Sequence, residues 1–409
     1  MGPLPYGLVE KTGLPPGVEK LKYENTEFSA GRLDYAPMQK IHTTQPLRYD
    51  ERDRLTLPLD PVMTECYISG FLKRKILSTP GIGSRMLRPS STMHRISESP
   101  GKGLGMFATK DIPAGELIVA DRPLLIFPRN IATQRTGAVP LHLTMHEMQQ
   151  VILNDTEVIY KASVDRMEPD RKEAFFKLAN SHTDDGSGPI VGRVRTNGFG
   201  SADMMDLGEG TAGQYTIICD ELSRLNHSCS PNTKHFWDMP TFCMQLRATR
   251  HIKKDEELTT TYCDLMESAA DRQATLDAYQ LKCDCASCAN PAISDPRRRK
   301  CREWGNQNDG RVLADLDPAP LNRLLDVFKA YIAEGLEETI GYSQVVFLLM
   351  NAYAEKGDVQ NMRVYAKRLS LWKHVSNGDP VDPREIETGF GALAVAEMAL
   401  RLKGKLKRK

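Results

Sequence analysis

The sequence predicts an α+β chain, in which a β-rich module carries a helical insert and is followed by an all-helical C-terminal region. Short runs of β-branched and aromatic residues, divided by Gly and Pro, are typical of strands and occur near 97–128 and 191–262. From about 140 to 182, apolar residues recur at three- and four-residue spacing, which indicates helices. The same spacing returns from about residue 318. Strands on both sides of a helical stretch favour an insertion within one module.

Length and charge limit the classes of function. A chain of 409 residues is expected to hold two or three domains, and 40% hydrophobic residues suffice for a core in each. Lys and Arg total 54 and Asp and Glu total 53, a net charge of +1, which argues against a general polyanion binder. Two basic segments, 296–300 and 401–409, are either nuclear import signals or DNA contacts, or simply solvated ends of helix and chain.

The first 96 residues are rich in Pro and turn-forming residues, which predicts an extended N-terminal arm (1–96) with one short helix from about Pro61 to Leu77. The chain shows no apolar signal segment at its start and no apolar run long enough to cross a bilayer. We therefore expect no membrane partner and a location in the cytoplasm, the nucleus or both.

Cysteine spacing gives the clearest chemical signal. In a reducing compartment, clustered Cys indicate metal binding rather than disulfides. The stretch "CDCASC" places Cys283, Cys285 and Cys288 as C-x-C-x2-C, so three thiolates can converge on one Zn²⁺, which requires a fourth ligand. Cys229, in the turn-like stretch "LNHSCSPN", is the candidate for that ligand. The alternative is a group of free thiols to which Cys229 is unrelated.

Two other motifs are weaker on their own. The glycines of "GKGLG" at 101–105 allow a ligand to approach the backbone closely, or they form a tight turn between strands. The stretch "DEELTTTYCDL" is a β-branched run that ends in Tyr262, which is also what an ordinary half-buried strand contains.

Taken in order, these motifs resemble those of the SET-domain protein methyltransferases, most closely the SET-and-MYND group and its fungal relatives. The resemblance covers about 97–290, and a helical C-terminal region is also typical of that group. The stretches that carry it are "GKGLGMFATKDIPAGELI", "NGF" at 197–199, "RLNHSCSPN", "DEELTTTY" and "YQLKCDCASC". The remaining Cys lack the paired spacing of a MYND zinc finger, so contacts made through that finger are not expected.

The resemblance implies a role for individual residues. Tyr262 matches the catalytic tyrosine, and Tyr279 and Tyr215 are expected to wall the channel for the substrate side chain. Cys229, Cys283, Cys285 and Cys288 match a post-SET site for one structural zinc ion. The residues expected to bind the cofactor S-adenosylmethionine are Lys102, Gly103, Leu104, Asn197, Asn226, His227, Tyr262 and Leu281. Leu281 stands where the family has an aromatic residue, so it can pack on adenine but cannot stack on it.

The resemblance also implies an architecture. It predicts a β-rich SET domain at 97–265, with the helical insert at about 140–182 and a C-terminal part that threads through a loop as a pseudoknot. A post-SET zinc-binding segment is expected at 266–290, a basic linker at 291–317 and a helical domain at 318–409. The stretch around "AYAEKGD" is similar to a tetratricopeptide-type hairpin, although a plain helical bundle fits the pattern equally well.

The expected activity is the transfer of a methyl group to a lysine of a histone or another protein, by a monomer. Transfer to an amine requires the neutral form, whereas free Lys has a pKa near about 10.4. An apolar channel and the adjacent sulfonium would both disfavour the ammonium ion. One alternative is a SET-fold scaffold that recruits partners through a groove in its C-terminal helices. Another is a methyltransferase acting on a different protein nitrogen, such as that of histidine.

Overall fold

A computed structural model describes residues 13–23, 36–50, 54–129, 143–201, 204 and 214–378. Within these residues the chain forms strands and helices in alternating groups. The strands are β1 (Lys40–Gln45), β2 (Arg48–Tyr49), β3 (Leu55–Thr56), β4 (Thr64–Ser69), β5 (His94–Ser99), β6 (Gly103–Ala108), β7 (Leu117–Asp121), β8 (Leu125–Pro128), β9 (Gly198–Gly200), β10 (Tyr215–Ile218), β11 (Asn226–His227), β12 (Thr233–Asp238), β13 (Cys243–Ala248) and β14 (Glu257–Thr260). The helices are α1 (Gly70–Ser78), α2 (Met145–Arg166), α3 (Pro169–Phe176), α4 (Pro189–Asn197), α5 (Ala269–Leu276), α6 (Ala286–Ala289), α7 (Pro291–Gln307), α8 (Leu321–Glu334), α9 (Ile340–Glu355) and α10 (Val359–Asn377).

The strands form several small sheets around a common core. One sheet has the order β1-β4-β8-β10-β9, a second β11-β14-β6-β5 and a third β12-β13-β7. Their buried faces meet in an apolar cluster that includes Ile68, Ile126 and Leu246, each essentially inaccessible to solvent. The predicted β-rich module with a helical C-terminal region is therefore confirmed for the described residues.

A short parallel pair of strands determines where the motifs meet. Asn226 lies opposite Thr259, and His227 lies opposite Thr260, in the pairing of β11 with β14. The other edge of β14 pairs with β6, the strand that follows the glycine-rich turn. Three stretches that are far apart in sequence thus lie side by side in one sheet.

Within the described residues the insert contains three helices, and the third was not expected. Helix α2 begins with a capping box, in which Thr144 and Glu147 satisfy each other's backbone donors. Helix α4 occupies 189–197, where the sequence predicted strand, and it extends the helical insert beyond residue 182. Its start is stabilised from a distance, because the Glu157 carboxylate accepts hydrogen bonds from the backbone of Ile190 and Val191. Such a tertiary cap is invisible to local patterns.

The N-terminal segment is more ordered than an extended arm within its described residues. β1 and β4 pair antiparallel and form one side of the five-stranded sheet, with Ile41 and Ile68 buried. The helix expected from Pro61 begins at Gly70, after β4, and the Ser69 side chain caps it by accepting from the Leu72 backbone. The apolar side chains of this segment are therefore part of the core, which the high content of Pro had obscured.

The predicted basic linker at 291–317 is largely helix α7, which starts at Pro291 and buries Arg298 and Trp304. Helices α8 and α9 pack against it, and α10 packs against α9 and β12. The C-terminal helices share a core with Cys229 and Leu265 of the β-rich module. The tail at 401–409 lies outside the described residues. The other domain boundaries, the pseudoknot and the tetratricopeptide likeness stay predictions. Among the described helices, none combines the length and apolar character that crossing a membrane requires.

Candidate active site

The parallel pairing of β11 and β14 brings the Asn-His pair next to Tyr262. The Tyr262 backbone N–H donates to His227 Nδ1 at 3.0 Å, and the Tyr262 hydroxyl donates to the carbonyl of Leu225. The ring of Tyr279 lies 4.9 Å from that of Tyr262, centroid to centroid. Three residues singled out in the sequence, His227, Tyr262 and Tyr279, are thus in one cluster.

His227 has a fixed tautomer. Its Nδ1 accepts a hydrogen bond from the backbone N–H of Tyr262, so in the neutral ring the proton lies on Nε2. That nitrogen is 3.2 Å from Cys229 Sγ, and the imidazole is almost fully buried. His227 therefore bridges the backbone of Tyr262 and the first thiol of the cysteine cluster.

Burial keeps both tyrosines protonated. It raises the pKa of Tyr262 well above its usual range, and the nearby Tyr279 and Glu257 raise the pKa further. Burial also raises the pKa of Tyr279, with the positive charge of Arg129 opposing it. At neutral pH each ring therefore presents a neutral hydroxyl group.

Asn226 is held by a glutamate that the sequence reading did not select. Its amide nitrogen donates to Glu257 Oε1 at 2.8 Å and to the Leu104 carbonyl at 3.2 Å. The other oxygen of Glu257 lies 3.8 Å from Lys102 Nζ. Gly105 makes this approach possible, since a Cβ there would lie 2.5 Å from Glu257 Oε1 and 2.9 Å from Asn226 Nδ2. Glu257 lies within the motif "DEELTTTY", but no signal in the sequence indicates its contact with Asn226.

The glycine-rich turn leaves its backbone open beside this cluster. Gly101 and Gly103 have φ angles of +73° and +75°, and a Cβ at either position would meet no atom within 4 Å. Leu104 is 46% exposed, although it lies in strand β6. An uncovered stretch of backbone of this kind fits a ligand that is bound largely through N–H and C=O groups.

The four candidate metal ligands converge. The sulfur atoms of Cys229, Cys283, Cys285 and Cys288 all lie within 4.8 Å of one another. Cys229 Sγ is 3.8 Å from Cys283 Sγ and 3.5 Å from Cys288 Sγ. A tetrahedron with Zn–S bonds of about 2.3 Å has S···S edges of about 3.8 Å. Donor type and spacing therefore both fit a zinc ion.

Comparison with known proteins agrees with this geometry. The family model for the SET domain matches residues 103–263. Histone-lysine N-methyltransferase set5 of Schizosaccharomyces pombe is 30% identical over 285 residues, which cover 68% of this chain and 76% of that protein. The chain belongs to the SET-domain family of protein-lysine methyltransferases. It is therefore a protein-lysine methyltransferase, with the SET domain as its β-rich module.

Two animal proteins match shorter parts of the chain. Histone-lysine N-methyltransferase SMYD3 of Mus musculus is 36% identical over 89 residues, which cover 22% of this chain and 19% of that protein. N-lysine methyltransferase SMYD2-B of Danio rerio is 32% identical over 107 residues, or 25% of this chain and 23% of that protein. The kinship with the SMYD proteins and with a fungal member is as the sequence motifs indicated.

A buried arginine, Arg272, reaches the cysteine cluster of this SET protein from helix α5. Its side chain is fully buried, with Nε 3.2 Å from Cys229 Sγ and Nη2 3.5 Å from Cys288 Sγ. Sequence analysis missed Arg272, because a single arginine in a short polar helix resembles a surface residue.

A second buried arginine joins the SET domain to the C-terminal helices. Arg298 of α7 donates to the backbone carbonyls of Cys229 and Leu265 and pairs with Glu334 of α8 at 3.1 Å. The exposed fractions of Arg298 and Glu334 are 0% and 3%, so this ion pair lies away from solvent. It holds both the Cys229 loop and the segment after Tyr262.

Three further predicted residues, Asn197, Leu281 and Tyr215, lie in different surroundings. Asn197 ends helix α4, and its amide nitrogen donates to the carbonyls of Ala179 and Arg193. Leu281 is half-buried and precedes the cysteine triplet. Tyr215 is buried in the five-stranded sheet, and its hydroxyl accepts from the Ser69 backbone N–H at 3.0 Å. This contact holds the polar end of Tyr215 at the start of α1, and its role in the substrate channel stays a prediction.

Proposed function

We propose that this chain transfers a methyl group from S-adenosylmethionine to the ε-amine of a lysine in a histone or another protein. The arrangement that carries the proposal is the cluster of Asn226, His227 and Tyr262 beside the open backbone of 101–104. Family membership supports lysine as the acceptor. The proposal adds the methyl donor and assigns a role to each residue.

The cofactor would lie along Lys102, Gly103 and Leu104 and against Asn226, with Asn197 and Leu281 as further proposed contacts. When bound, S-adenosylmethionine supplies an electrophilic methyl group on a positively charged sulfur. Both amide hydrogens of Asn226 are engaged, so its Oδ1 is the atom left to accept a hydrogen bond. The nearby Glu257 carboxylate also suits a site for a cation.

Tyr262 would act as an orienting group and not as a base. Its hydroxyl hydrogen is donated to the Leu225 carbonyl, so its oxygen lone pairs are left to align the acceptor amine and the methyl hydrogens. A phenol with a raised pKa remains protonated at neutral pH and cannot remove the lysine proton. The lysine therefore loses its proton to solvent, and the face of Tyr279 shields the amine.

We also propose one structural zinc ion, bound by Cys229, Cys283, Cys285 and Cys288. Four thiolate ligands fill a tetrahedral site and leave no open position for a substrate. The ion would fasten the 283–288 segment to the loop that carries His227. Its role would be to shape the cofactor site.

Methyl transfer with labelled cofactor tests the proposal. The wild-type chain is incubated with histones and fractionated cell proteins, beside Tyr262→Phe and the control Tyr49→Phe, whose ring is 42% exposed. We expect Tyr262→Phe to lose transfer by about 100-fold, because alignment is lost, while calorimetry shows that it still binds the cofactor. The control should match wild type. A wild-type chain that binds cofactor but labels no protein in the panel would contradict the proposal.

A partner-binding role is the second candidate. A cavity of about 940 Å³ opens between the segment after Tyr262 and helices α7 and α9, lined by residues that include Glu267, Arg302 and Gln344. A protein partner or the substrate itself would fit a mixed-charge groove of this size. A partner that binds equally well to wild type and Tyr262→Phe, with no methyl transfer by either, would favour this role.

The location, the oligomeric state and any contact with nucleic acid also remain proposals. We place the chain in the cytoplasm or nucleus and treat it as a monomer. Contact with nucleic acid through 296–300 has weaker support than the sequence indicated, because Arg298 of that segment is buried against Glu334.

A further inference from the structure

We infer that Arg272 is a positioning residue for the zinc site, and that through Cys229 and His227 it also fixes the backbone of Tyr262. The inference rests on the proposed zinc ion and goes beyond it by assigning the group that balances the negative charge of its four thiolate ligands. The observation is a fully buried guanidinium that points at two of the four thiol sulfurs.

The contacts use the shape of the guanidinium. Nε donates to Cys229 Sγ at 3.2 Å and Nη2 donates to Cys288 Sγ at 3.5 Å. The third nitrogen, Nη1, donates to the backbone carbonyl of Glu267. The planar guanidinium of Arg272 therefore joins the loop of Cys229, the cysteine triplet at 283–288 and the residue Glu267 before α5. A lysine ammonium, which is a single point of charge on a flexible stem, cannot make the same three contacts.

Charge explains why an arginine is buried at this place. Four thiolates around a divalent ion carry a net charge of about −2, and a buried charge of this kind is costly unless it is paired. Within the part of the chain that the structure describes, Arg272 is the cation whose nitrogens donate to these sulfurs. Arg298 approaches the same loop, but its bond is to the Cys229 carbonyl oxygen.

The sulfur of Cys229 connects Arg272 to the cluster of His227 and Tyr262. Cys229 Sγ accepts from Arg272 Nε and also lies 3.2 Å from His227 Nε2. The opposite nitrogen of His227 accepts from the Tyr262 backbone N–H. A shift of Cys229 would therefore move His227 and, with it, the start of the segment that carries the Tyr262 ring.

The test is zinc release from the full chain to an excess of a chromogenic chelator. The variants are Arg272→Met, which removes charge and donors, and Arg272→Lys, which keeps the charge with fewer contacts. Arg299→Met on the exposed face of α7 is the matched control. We expect zinc affinity to fall about 10–100-fold in Arg272→Met and less in Arg272→Lys, as for other groups that support metal ligands. The control should release zinc at the wild-type rate.

A spectroscopic readout separates charge balance from packing. In the cobalt-substituted chain, N–H···S bonds stabilise the sulfur lone pairs, so their loss should move the thiolate-to-cobalt charge-transfer band to longer wavelength in Arg272→Met. A loss of packing alone would leave the band in place. Cofactor affinity, measured by calorimetry, should fall with zinc occupancy in the same variant.

Each outcome decides one claim. Zinc release and a cobalt band in Arg272→Met equal to those of wild type would overturn the role of Arg272 and leave the zinc site standing. A wild-type chain that binds no zinc would overturn the zinc site and this inference, without touching the methyl-transfer assay. If Arg272→Met does not fold, Arg272→Lys decides, and wild-type zinc release by that variant would contradict the inference.

Discussion

At the scale of single residues, position 105 has room only for glycine, because side chains of the protein itself fill the space that a Cβ would occupy. A Cβ at this position would meet Glu257 Oε1 at 2.5 Å and Asn226 Nδ2 at 2.9 Å, closer than van der Waals contact allows. Gly105→Ala should push Glu257 and Asn226 apart and lower the free energy of unfolding by about 1–3 kcal/mol. We expect cofactor affinity to drop about 10-fold or more by calorimetry.

The control for this change is Gly305→Ala in helix α7, where an added Cβ would meet no atom within 4 Å. That variant should bind cofactor as wild type does and be slightly more stable, since Ala favours a helix over Gly. Equal cofactor affinity in Gly105→Ala and wild type would show that the Glu257–Asn226 contact does not serve the cofactor.

The raised pKa of Tyr262 gives a prediction for pH dependence. An acid whose pKa is raised keeps its proton to higher pH, so Tyr262 should stay neutral throughout the range in which lysine becomes deprotonated. Single-turnover methyl transfer should therefore rise with pH and show no decline from Tyr262 ionisation up to about pH 10. A decline below that pH in wild type that is absent from the residual activity of Tyr262→Phe would contradict this.

At the scale of elements, helix α4 depends on a residue of helix α2. The Glu157 carboxylate accepts from the Ile190 and Val191 backbone N–H groups, within 2.8–3.0 Å. Glu157→Ala would leave these donors without their partner and should lower the free energy of unfolding by about 1–3 kcal/mol in chemical denaturation. The exposed Glu173→Ala, in α3, should change it by less than about 0.5 kcal/mol. Equal stabilities of the two variants would refute the cap.

The elements also show what the sequence could and could not predict. Motifs such as "NHSC" and "CDCASC" were recognisable because their residues are adjacent in the chain. The Glu157 cap and the Arg272 contacts were not, since each joins distant stretches and uses a residue type that usually faces solvent. The many basic residues and the internal Pro296 of 291–307 predict a linker, because they mask the buried helical face that carries Arg298 and Trp304. A strand pattern also does not say which neighbour the hydroxyl of Tyr215 meets, which the structure gives as the Ser69 backbone.

At the scale of the whole molecule, the Arg298–Glu334 pair joins the C-terminal helices to the SET domain. Without Arg298, the buried Glu334 carboxylate keeps only the half-exposed Arg297 at 3.6 Å as a charged partner, so Arg298→Met should destabilise the chain by about 3 kcal/mol. The double variant Arg298→Met with Glu334→Met should recover part of this loss, because no uncompensated charge remains.

The surface pair Lys300–Asp326 is the control, with side chains 43% and 60% exposed. Lys300→Met should cost less than about 1 kcal/mol. A loss in Arg298→Met as small as that of the control, in thermal or chemical denaturation, would mean that the buried pair does not hold the two parts together.

The identity of the methylated atom tests the central claim most directly. Wild-type chain, S-adenosylmethionine with a deuterated methyl group and the most strongly labelled acceptor protein are incubated together, and tandem mass spectrometry locates the label. The account predicts label on a lysine ε-nitrogen, strongly reduced with Tyr262→Phe and unchanged with Tyr49→Phe. Label on a histidine ring, or label on lysine that is unchanged in Tyr262→Phe, would contradict it.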